Sequence, residues 1–295
     1  MTVIDGHTRT CGVIGNPVEH TMSPVIHNTL AELLGDNLAY VPFHVREGYV
    51  GDAVKGAYAL NLLGVNVTVP YKSDVIPFLK EIDPLAAQIG AVNTLVREKD
   101  GYKGYNTDMP GLYRAMCRDK VAIEGEKVLI LGAGGVARAV TMLMAQKNAG
   151  EIIVLNRTLD RAQRIAEEVN RISGRNCVCA RALAEYTELE DEKYLAIQCT
   201  NVGMHPDVES VLIEDEAFYK KLHTGYDLIF NPYETSFMKR VRKHGGRAYN
   251  GLKMLLYQGI IAYEFWTGRE VSGEQEEIVY EKMKKAMGCT EDMPQ

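Results

Sequence analysis

The sequence lacks the features that mark membrane, secreted and nucleic-acid-binding proteins. Its 33 Lys and Arg are outnumbered by 39 Asp and Glu, so the net charge of −6 offers no basic excess for a nucleic acid or an anionic membrane surface. The best apolar run, residues 128–145, is interrupted by Arg138, and no run reaches the roughly 18 residues that a spanning helix needs. The chain does not open with a basic region followed by an apolar core, so we predict no secretory signal.

Paired cysteines are also missing. The six cysteines are scattered, only Cys177 and Cys179 lie close together, and no Cys-x-x-Cys pair occurs. This usage suits reduced thiols in a cytoplasm rather than a disulfide framework or a zinc site. We therefore expect a cytoplasmic protein that holds no metal and binds neither nucleic acid nor membrane.

The 295 residues are enough for two domains, and strand-like and helix-like runs alternate along them, which predicts α/β layers with largely parallel sheets. In the first third we predict a helix capped by Ser23, with Pro24 at its first position and Gly35 closing it. The other elements predicted there are strands at 9–15, 38–45 and 64–70, and a β-hairpin over 91–105 that turns at Asp100-Gly101.

From Glu126 the pattern becomes strand, glycine turn, helix and strand, followed by an amphipathic helix and two buried strands, "LAIQCTN" and "YDLIFNP". We therefore predict a Rossmann-type, doubly wound nucleotide-binding domain over residues 108–249. Two helices follow, one of them over 252–267, with no strand between them. Their spacing leaves open which domain they join.

A glycine-rich segment lies at the centre of that predicted domain. Residues Gly132, Ala133, Gly134, Gly135, Val136 and Ala137 match G-x-G-x-x-[GA] directly after a strand and at the start of a helix. The first glycine permits the tight turn, and the second lets backbone N–H groups approach a pyrophosphate at the positive end of the helix. The segment predicts a dinucleotide site.

The end of the next strand indicates which dinucleotide. NAD-binding proteins usually place an acid there, but this chain has Asn156, Arg157 and Thr158, with Arg161 one helical step later. A carboxylate would repel a 2′-phosphate, whereas two guanidinium groups and a hydroxyl would bind one. We therefore predict NADP (NADPH) as the cofactor.

The segment "NVTVPYK" carries a second signal. Asn66 and Thr68 share one face of the predicted strand, and Lys72 follows just beyond Pro70. Taken alone, this pattern fits an edge strand with a solvated end. Asp108 is equally open, because it could either be an acid–base group or only cap the helix that begins near Pro110.

Several motifs together resemble the shikimate dehydrogenase family, in order and over residues 12–268: "GNPVEHTMSPVIHN", "NVTVPYK", "GAVNTL", "NTD", "GAGGVA", "NRT", "TNVGM" and "NGLKMLLYQG". The resemblance implies NADPH-dependent reduction of 3-dehydroshikimate to shikimate, on the path to chorismate and aromatic amino acids. It implies an α/β substrate-binding domain made of residues 1–107 and 250–295, with a cleft between it and the nucleotide domain at 108–249. Lys72 and Asp108 would be the catalytic pair.

The resemblance also implies the remaining site residues. Thr21 and Ser23 correspond to the hydroxyl pair that holds the substrate carboxylate, and Leu228 and Gly251 lie beside the nicotinamide. The other positions implied to contact the substrate are Asn66, Thr68, Asn93, Phe230 and Gln258. Two positions depart from the family pattern, since Thr21 replaces a serine and Phe230 replaces a frequent tyrosine.

Three alternatives remain at this stage. Phe230 and Thr21 leave open a quinate/shikimate dehydrogenase of the catabolic type, although Arg157 argues against NAD. A methylene-tetrahydrofolate dehydrogenase would share a lysine and a similar nucleotide domain, but would not require Thr21, Ser23 and Asn93 together. A non-enzymatic, nucleotide-sensing relative would not need the Lys72–Asp108 pair. The partner expected is a small-molecule substrate, and the chain could be a monomer or a homodimer.

Overall fold

The computed structural model describes residues 4–289, which divide into two units. The first unit contains the described residues up to Leu112 and those from Leu255 onward, and the second runs Tyr113–Met254. Each unit has one six-stranded sheet with helices, so the predicted α/β fold class is confirmed. Within residues 4–289, no helix is both long enough and apolar enough to span a bilayer.

The sheet of the first unit has the strand order β2-β1-β3-β5-β6-β4. Strands β1, β2 and β3 are parallel, and β5 is antiparallel to β3. β5 and β6 form the predicted hairpin, but its turn lies at Lys99 and Asp100, one residue before the predicted Asp100-Gly101, because Gly101 already pairs with Glu98. The strands are β1 (Arg9–Gly15), β2 (Leu38–His44), β3 (Gly64–Val67), β4 (Glu81–Ile82), β5 (Thr94–Glu98) and β6 (Gly101–Tyr105).

The helices α1 (Ser23–Leu34), α2 (Val50–Ala59) and α3 (Pro84–Ile89) lie along the chain between these strands, with a 3₁₀ turn at Ile76–Phe78. Gly35 ends α1 in the left-handed region at φ 68°, as predicted, because glycine has no Cβ to oppose that conformation. The predicted start of α1 was wrong by one residue. Ser23 is the first helical residue and Met22 occupies the capping position, so the Ser23 hydroxyl does not cap the helix.

The predicted strand 64–70 is shorter in the structure. β3 ends at Val67, and the next residues turn away, leaving the Val69 side chain 65% exposed. Thr68 still donates its backbone N–H to Ile14 O at 2.9 Å, so the chain leaves the sheet gradually. The turn beyond Pro70 then carries Lys72.

The second unit has an entirely parallel sheet in the order β12-β11-β10-β7-β8-β9, the doubly wound arrangement predicted for a Rossmann-type domain. Its central strands are nearly continuous apolar runs because helices cover both faces of such a sheet. The strands are β7 (Lys127–Leu131), β8 (Glu151–Asn156), β9 (Val178–Ala182), β10 (Tyr194–Gln198), β11 (Leu222–Asp227) and β12 (Arg247–Tyr249). The sequence pattern missed the two edge strands, since β9 is only partly buried and partly polar and β12 has only three residues.

The chain passes between the units inside two helices, α4 (Asp108–Arg118) and α9 (Leu252–Thr267). The unit boundaries therefore fall a few residues beyond the expected positions at 107/108 and 249/250. The remaining helices are α5 (Gly135–Gln146), α6 (Leu159–Ser173), α7 (Glu216–Lys220), α8 (Ser236–Lys243) and α10 (Gly273–Ala286), with a second 3₁₀ turn at Leu183–Glu188.

Candidate active site

Lys72 and Asp108, 36 residues apart in the sequence, form a direct ion pair in the first unit. Lys72 Nζ donates to Asp108 Oδ2 at 2.7 Å, and both side chains are partly exposed. The Lys72 backbone is fixed as well, because its carbonyl accepts from Val92 N at 2.8 Å. The pair therefore combines a charged hydrogen bond with access for a ligand.

Asp108 does not cap its helix. The Asn106 side chain takes that position, since its Oδ1 accepts from the backbone N–H groups of Asp108 at 3.1 Å and Met109 at 3.4 Å. The Asp108 carboxylate is thereby available to Lys72 on one oxygen and to Asn93, whose Nδ2 donates at 2.8 Å, on the other. The capping alternative for Asp108 is thus excluded.

Asn93 and Asn66 lie behind the pair as buried amides. Asn93 is 3% exposed, and its Oδ1 accepts from Thr107 N at 2.8 Å. Asn66 is 5% exposed, and its Nδ2 donates to the Asn93 carbonyl at 3.2 Å and to Thr94 Oγ1 at 3.1 Å. Thr94 and Thr107 were not predicted as site residues, although Thr94 lies within the motif "GAVNTL" and Thr107 within "NTD".

Thr21 and Ser23 are brought together at the start of α1. Thr21 Oγ1 donates to Ser23 Oγ at 3.2 Å and accepts from Ser23 N at 3.3 Å. No side chain caps this helix, and a helix N-terminus carries partial positive charge. Two hydroxyls at such a position suit a carboxylate.

Thr68 and Gln258 belong to the same unit. Thr68 lies just beyond β3, with its methyl group against Gly15, where an added Cβ would approach to 2.4 Å. Gln258, on α9, is mostly buried and donates from Nε2 to Leu255 O at 2.8 Å. A Cβ at Gly111 would lie 2.7 Å from Gln258 N, so α4 and α9 pack closely at this level.

The glycine segment in the second unit has the geometry that a pyrophosphate needs. Gly132 follows β7 with φ at 112°, and Gly134 occupies the capping position of α5 without a side-chain cap. A Cβ at Gly134 or Gly135 would meet nothing within 4 Å, so there is open space above the loop. Ala137 is fully buried, which allows the helix to approach the sheet. The segment therefore fits a dinucleotide.

The end of β8 presents an exposed cationic surface. Arg157, Thr158 and Arg161 are all exposed, and within residues 4–289 neither guanidinium has a carboxylate at ion-pair distance. Asn156 orders the turn by donating from Nδ2 to Thr158 O at 2.9 Å. A cavity of about 390 Å³ beside Arg157 has apolar walls that include Leu183, Tyr186, Leu212 and Ile213.

A loop after β11 contains Leu228 and Phe230. The fully buried Asp227 holds this loop, since its carboxylate accepts from Thr235 Oγ1 at 2.6 Å and from Ile229 N at 3.0 Å. Burial raises the pKa of Asp227 to about 7, and the two hydrogen bonds oppose that rise. Gly251 N donates to Ile229 O at 3.0 Å, and a Cβ at Gly251 would lie only 2.1 Å from Leu228 O.

A doubly wound domain with an open glycine loop, joined to a unit that carries a paired lysine and aspartate, defines an oxidoreductase that uses a nicotinamide dinucleotide. Three family models match the chain: the shikimate dehydrogenase substrate binding domain at residues 13–95, shikimate / quinate 5-dehydrogenase at 115–204, and the shikimate 5′-dehydrogenase C-terminal domain at 251–287.

Whole-chain comparisons agree with these matches. Shikimate dehydrogenase (NADP(+)) of Carboxydothermus hydrogenoformans is 40% identical over 90% of this chain and 94% of its own length. A solved shikimate dehydrogenase in complex with NADP+ is 34% identical with a TM-score of 0.88, covering 97% of this chain and 98% of that one. The enzyme of Thermus thermophilus, solved with NADP(H) and shikimate, has a TM-score of 0.82 at 29% identity, covering 94% of this chain and 100% of that one. The chain belongs to the shikimate dehydrogenase family.

Proposed function

We propose that this protein is an NADP-dependent shikimate dehydrogenase that interconverts 3-dehydroshikimate and shikimate. The observation that carries the proposal is the direct Lys72–Asp108 pair, 2.7 Å between Nζ and Oδ2. Family membership supplies the substrate and cofactor class, and Arg157 and Arg161, exposed and without a carboxylate partner among residues 4–289, support NADP over NAD. Residues 1–107 with 250–295 would bind the substrate, and residues 108–249 the nucleotide.

When bound, NADPH supplies the hydride that reduces the substrate ketone at carbon. Negative charge then develops on the carbonyl oxygen, and the Lys72 ammonium donates a proton to that oxygen in this direction and accepts it back in the other. Asp108 orients the ammonium and can share a proton with it through their hydrogen bond. Asn93 Nδ2 donates to the second Asp108 carboxylate oxygen at 2.8 Å. The reaction thus uses groups that the fold has already positioned.

The substrate contacts follow from the chemistry of each side chain. Thr21 and Ser23, at the uncapped start of α1, would hold the carboxylate. Ring hydroxyls would be read by the side chains of Asn66, Thr68, Asn93 and Gln258. Phe230 has no hydroxyl with which to bind the substrate, so the preference for shikimate over quinate depends on the other substrate residues. At the nucleotide, the glycine segment would hold the pyrophosphate, and Leu228 and Gly251 would border the nicotinamide.

Substituting the two members of the pair tests the mechanism. Lys72→Ala should lower kcat by roughly 10²–10⁴-fold, the usual contribution of a general acid, and Asp108→Asn should act on the same step. The double variant should lose far less than the sum of the two single losses, because residues that act as a unit are not additive. NADPH binding, measured by fluorescence titration, should change little.

Lys80→Ala is a matched control, since it removes a lysine that pairs with Asp100 at 3.3 Å on the exposed surface of the same unit. It should leave kcat within about twofold of the native value, as expected for an exposed pair. Fully additive losses in the double variant would contradict the shared role of Lys72 and Asp108. Native initial rates with shikimate and quinate, each with NADP+ and NAD+, complete the test. No oxidation of shikimate would refute the proposed function, and faster oxidation of quinate would favour the quinate/shikimate type.

A further inference from the structure

A buried tyrosine contacts one of the proposed substrate residues in the first unit. Tyr40, on β2, is 2% exposed, and its hydroxyl donates to Asn66 Oδ1 at 2.7 Å. Burial raises the pKa of Tyr40 well above its usual value, so the phenol stays protonated. The phenol therefore contacts Asn66, one of the residues proposed to bind the substrate ring.

The hydrogen bonds fix the orientation of the Asn66 amide. A backbone carbonyl can only accept, so the amide atom that faces the Asn93 carbonyl at 3.2 Å must be nitrogen. The amide oxygen then faces Tyr40, whose hydroxyl must be the donor. Without that hydroxyl, the buried Asn66 oxygen would lose the partner that defines its direction.

Helix α1 holds Tyr40 by both its ring and its backbone. The His27 ring stacks on the Tyr40 ring with centroids 4.2 Å apart and planes 17° apart. Asn28 bonds both backbone groups of Tyr40, accepting from its N–H at 2.8 Å and donating to its carbonyl at 3.0 Å. His27 and Asn28, adjacent residues of one helix, thus both contact Tyr40.

His27 has no other polar role in the described part of the chain. Neither of its ring nitrogens has a hydrogen-bond partner within residues 4–289, and burial lowers its pKa to about 3, so the ring is neutral. Trp266 closes the stack, with its ring 5.0 Å from His27 and its Nε1 donating to Leu95 O at 2.9 Å. The Tyr40 ring is therefore enclosed by rigid neighbours.

We propose that Tyr40 is a positioning residue for the substrate: its hydroxyl holds the Asn66 amide, and Asn66 in turn holds Asn93, the partner of Asp108, so that the amides that bind the substrate ring keep a fixed spacing from the catalytic pair. The inference rests on the proposed function. Substrate contacts of this kind are made equally in the ground state and the transition state. Loss of the phenol hydroxyl should therefore affect KM more than kcat.

The test is Tyr40→Phe, which removes only the hydroxyl. KM for shikimate and the Kd of shikimate from isothermal titration should both rise about 5–15-fold, the range expected for one buried hydrogen bond. Shikimate kcat should fall less than about threefold, and KM for NADP+ should stay unchanged.

Tyr102→Phe is the matched control. Tyr102 is 1% exposed in the same unit, and its hydroxyl donates to Leu62 O at 2.8 Å, away from the site residues. Both variants should lose a similar amount of thermal stability, but only Tyr40→Phe should change shikimate binding. Adding Tyr40→Phe to Asn66→Ala should cost no further affinity, because the phenol acts through that amide.

Each outcome decides the inference. If Tyr40→Phe lowers Tm but leaves the Kd of shikimate equal to that of Tyr102→Phe, the role is structural and the proposal is wrong. Additive losses with Asn66→Ala would also overturn it. If Tyr40→Phe does not fold, Asn28→Ala should raise KM for shikimate severalfold, and an unchanged KM would refute the proposal. A native protein that does not oxidise shikimate would refute the proposed function and this inference with it. Normal native turnover with no effect of Tyr40→Phe would refute the inference alone.

Discussion

The choice between NADPH and NADH should depend on Arg157 and Arg161. Arg157 directly follows β8, and Arg161 lies in the first turn of α6, the helix that begins at Leu159. Both are exposed, and no carboxylate among residues 4–289 neutralises either guanidinium. Positive charges near a helix N-terminus are unfavourable in the free protein, because that end of the helix is itself partly positive. A bound phosphate dianion would therefore reduce this repulsion.

The size of the effect follows from these contacts. A hydrogen bond to a charged group contributes on the order of 1.5–3 kcal/mol, and each 1.4 kcal/mol is about tenfold in affinity. Because Arg157 is exposed, Arg157→Ala should fall at the low end and weaken NADPH about tenfold. The double substitution with Arg161→Ala should approach about 100-fold. NADH has no 2′-phosphate to lose, so its binding should change little.

The assay is kcat/KM for both cofactors in the native protein and in the single and double variants. Arg164→Ala is a suitable control, since it removes an exposed arginine one turn further along α6. Raising the salt concentration should weaken NADPH more than NADH, because an exposed ion pair is screened. Equal losses for both cofactors, or the same loss in Arg164→Ala, would show that these arginines do not read the phosphate.

Two further predictions concern the loop after β11. Gly251→Ala would place a Cβ 2.1 Å from Leu228 O, a backbone atom that cannot move alone, so thermal unfolding should show a loss of about 3 kcal/mol or more and NADPH titration a weaker Kd. Gly56→Ala in α2, where a Cβ meets nothing within 4 Å, should instead be neutral or slightly stabilising, and equal losses in the two would contradict the steric argument. Asp227 has a folded pKa of about 7, above its unfolded value, so its contribution to stability is fully present below about pH 4 and is lost as the pH rises to about 7. The free energy of unfolding of Asp227→Asn, measured by urea denaturation, should not fall over this pH range. If the variant and the native protein show the same pH dependence, Asp227 does not cause the loss of stability.

Local sequence patterns by themselves determined much of this protein. Three features depend only on residues close in sequence: the alternation of apolar runs, the glycine segment between a strand and a helix, and the position of Gly35. Spacing alone therefore predicted the α/β class and the glycine turn. The edge strands were missed for the same reason, since β9 is partly polar and β12 has only three residues. Whether Asp108 caps α4 could not be read locally, because Asn106, two residues earlier, is an equally good cap.

Only the tertiary structure decided the partners of the polar side chains. Lys72 meets Asp108 across 36 residues, and Tyr40 meets Asn66 across 26. Tyr40 lies on β2, whose buried residues are Leu38 and Tyr40, and the sequence identified the strand but not its buried face. A hydrogen bond depends on the distance and direction between two atoms, and for residues on different elements these are set by strand register and helix packing. Sequence spacing therefore identified which residues could do chemistry, and packing determined which of them touch.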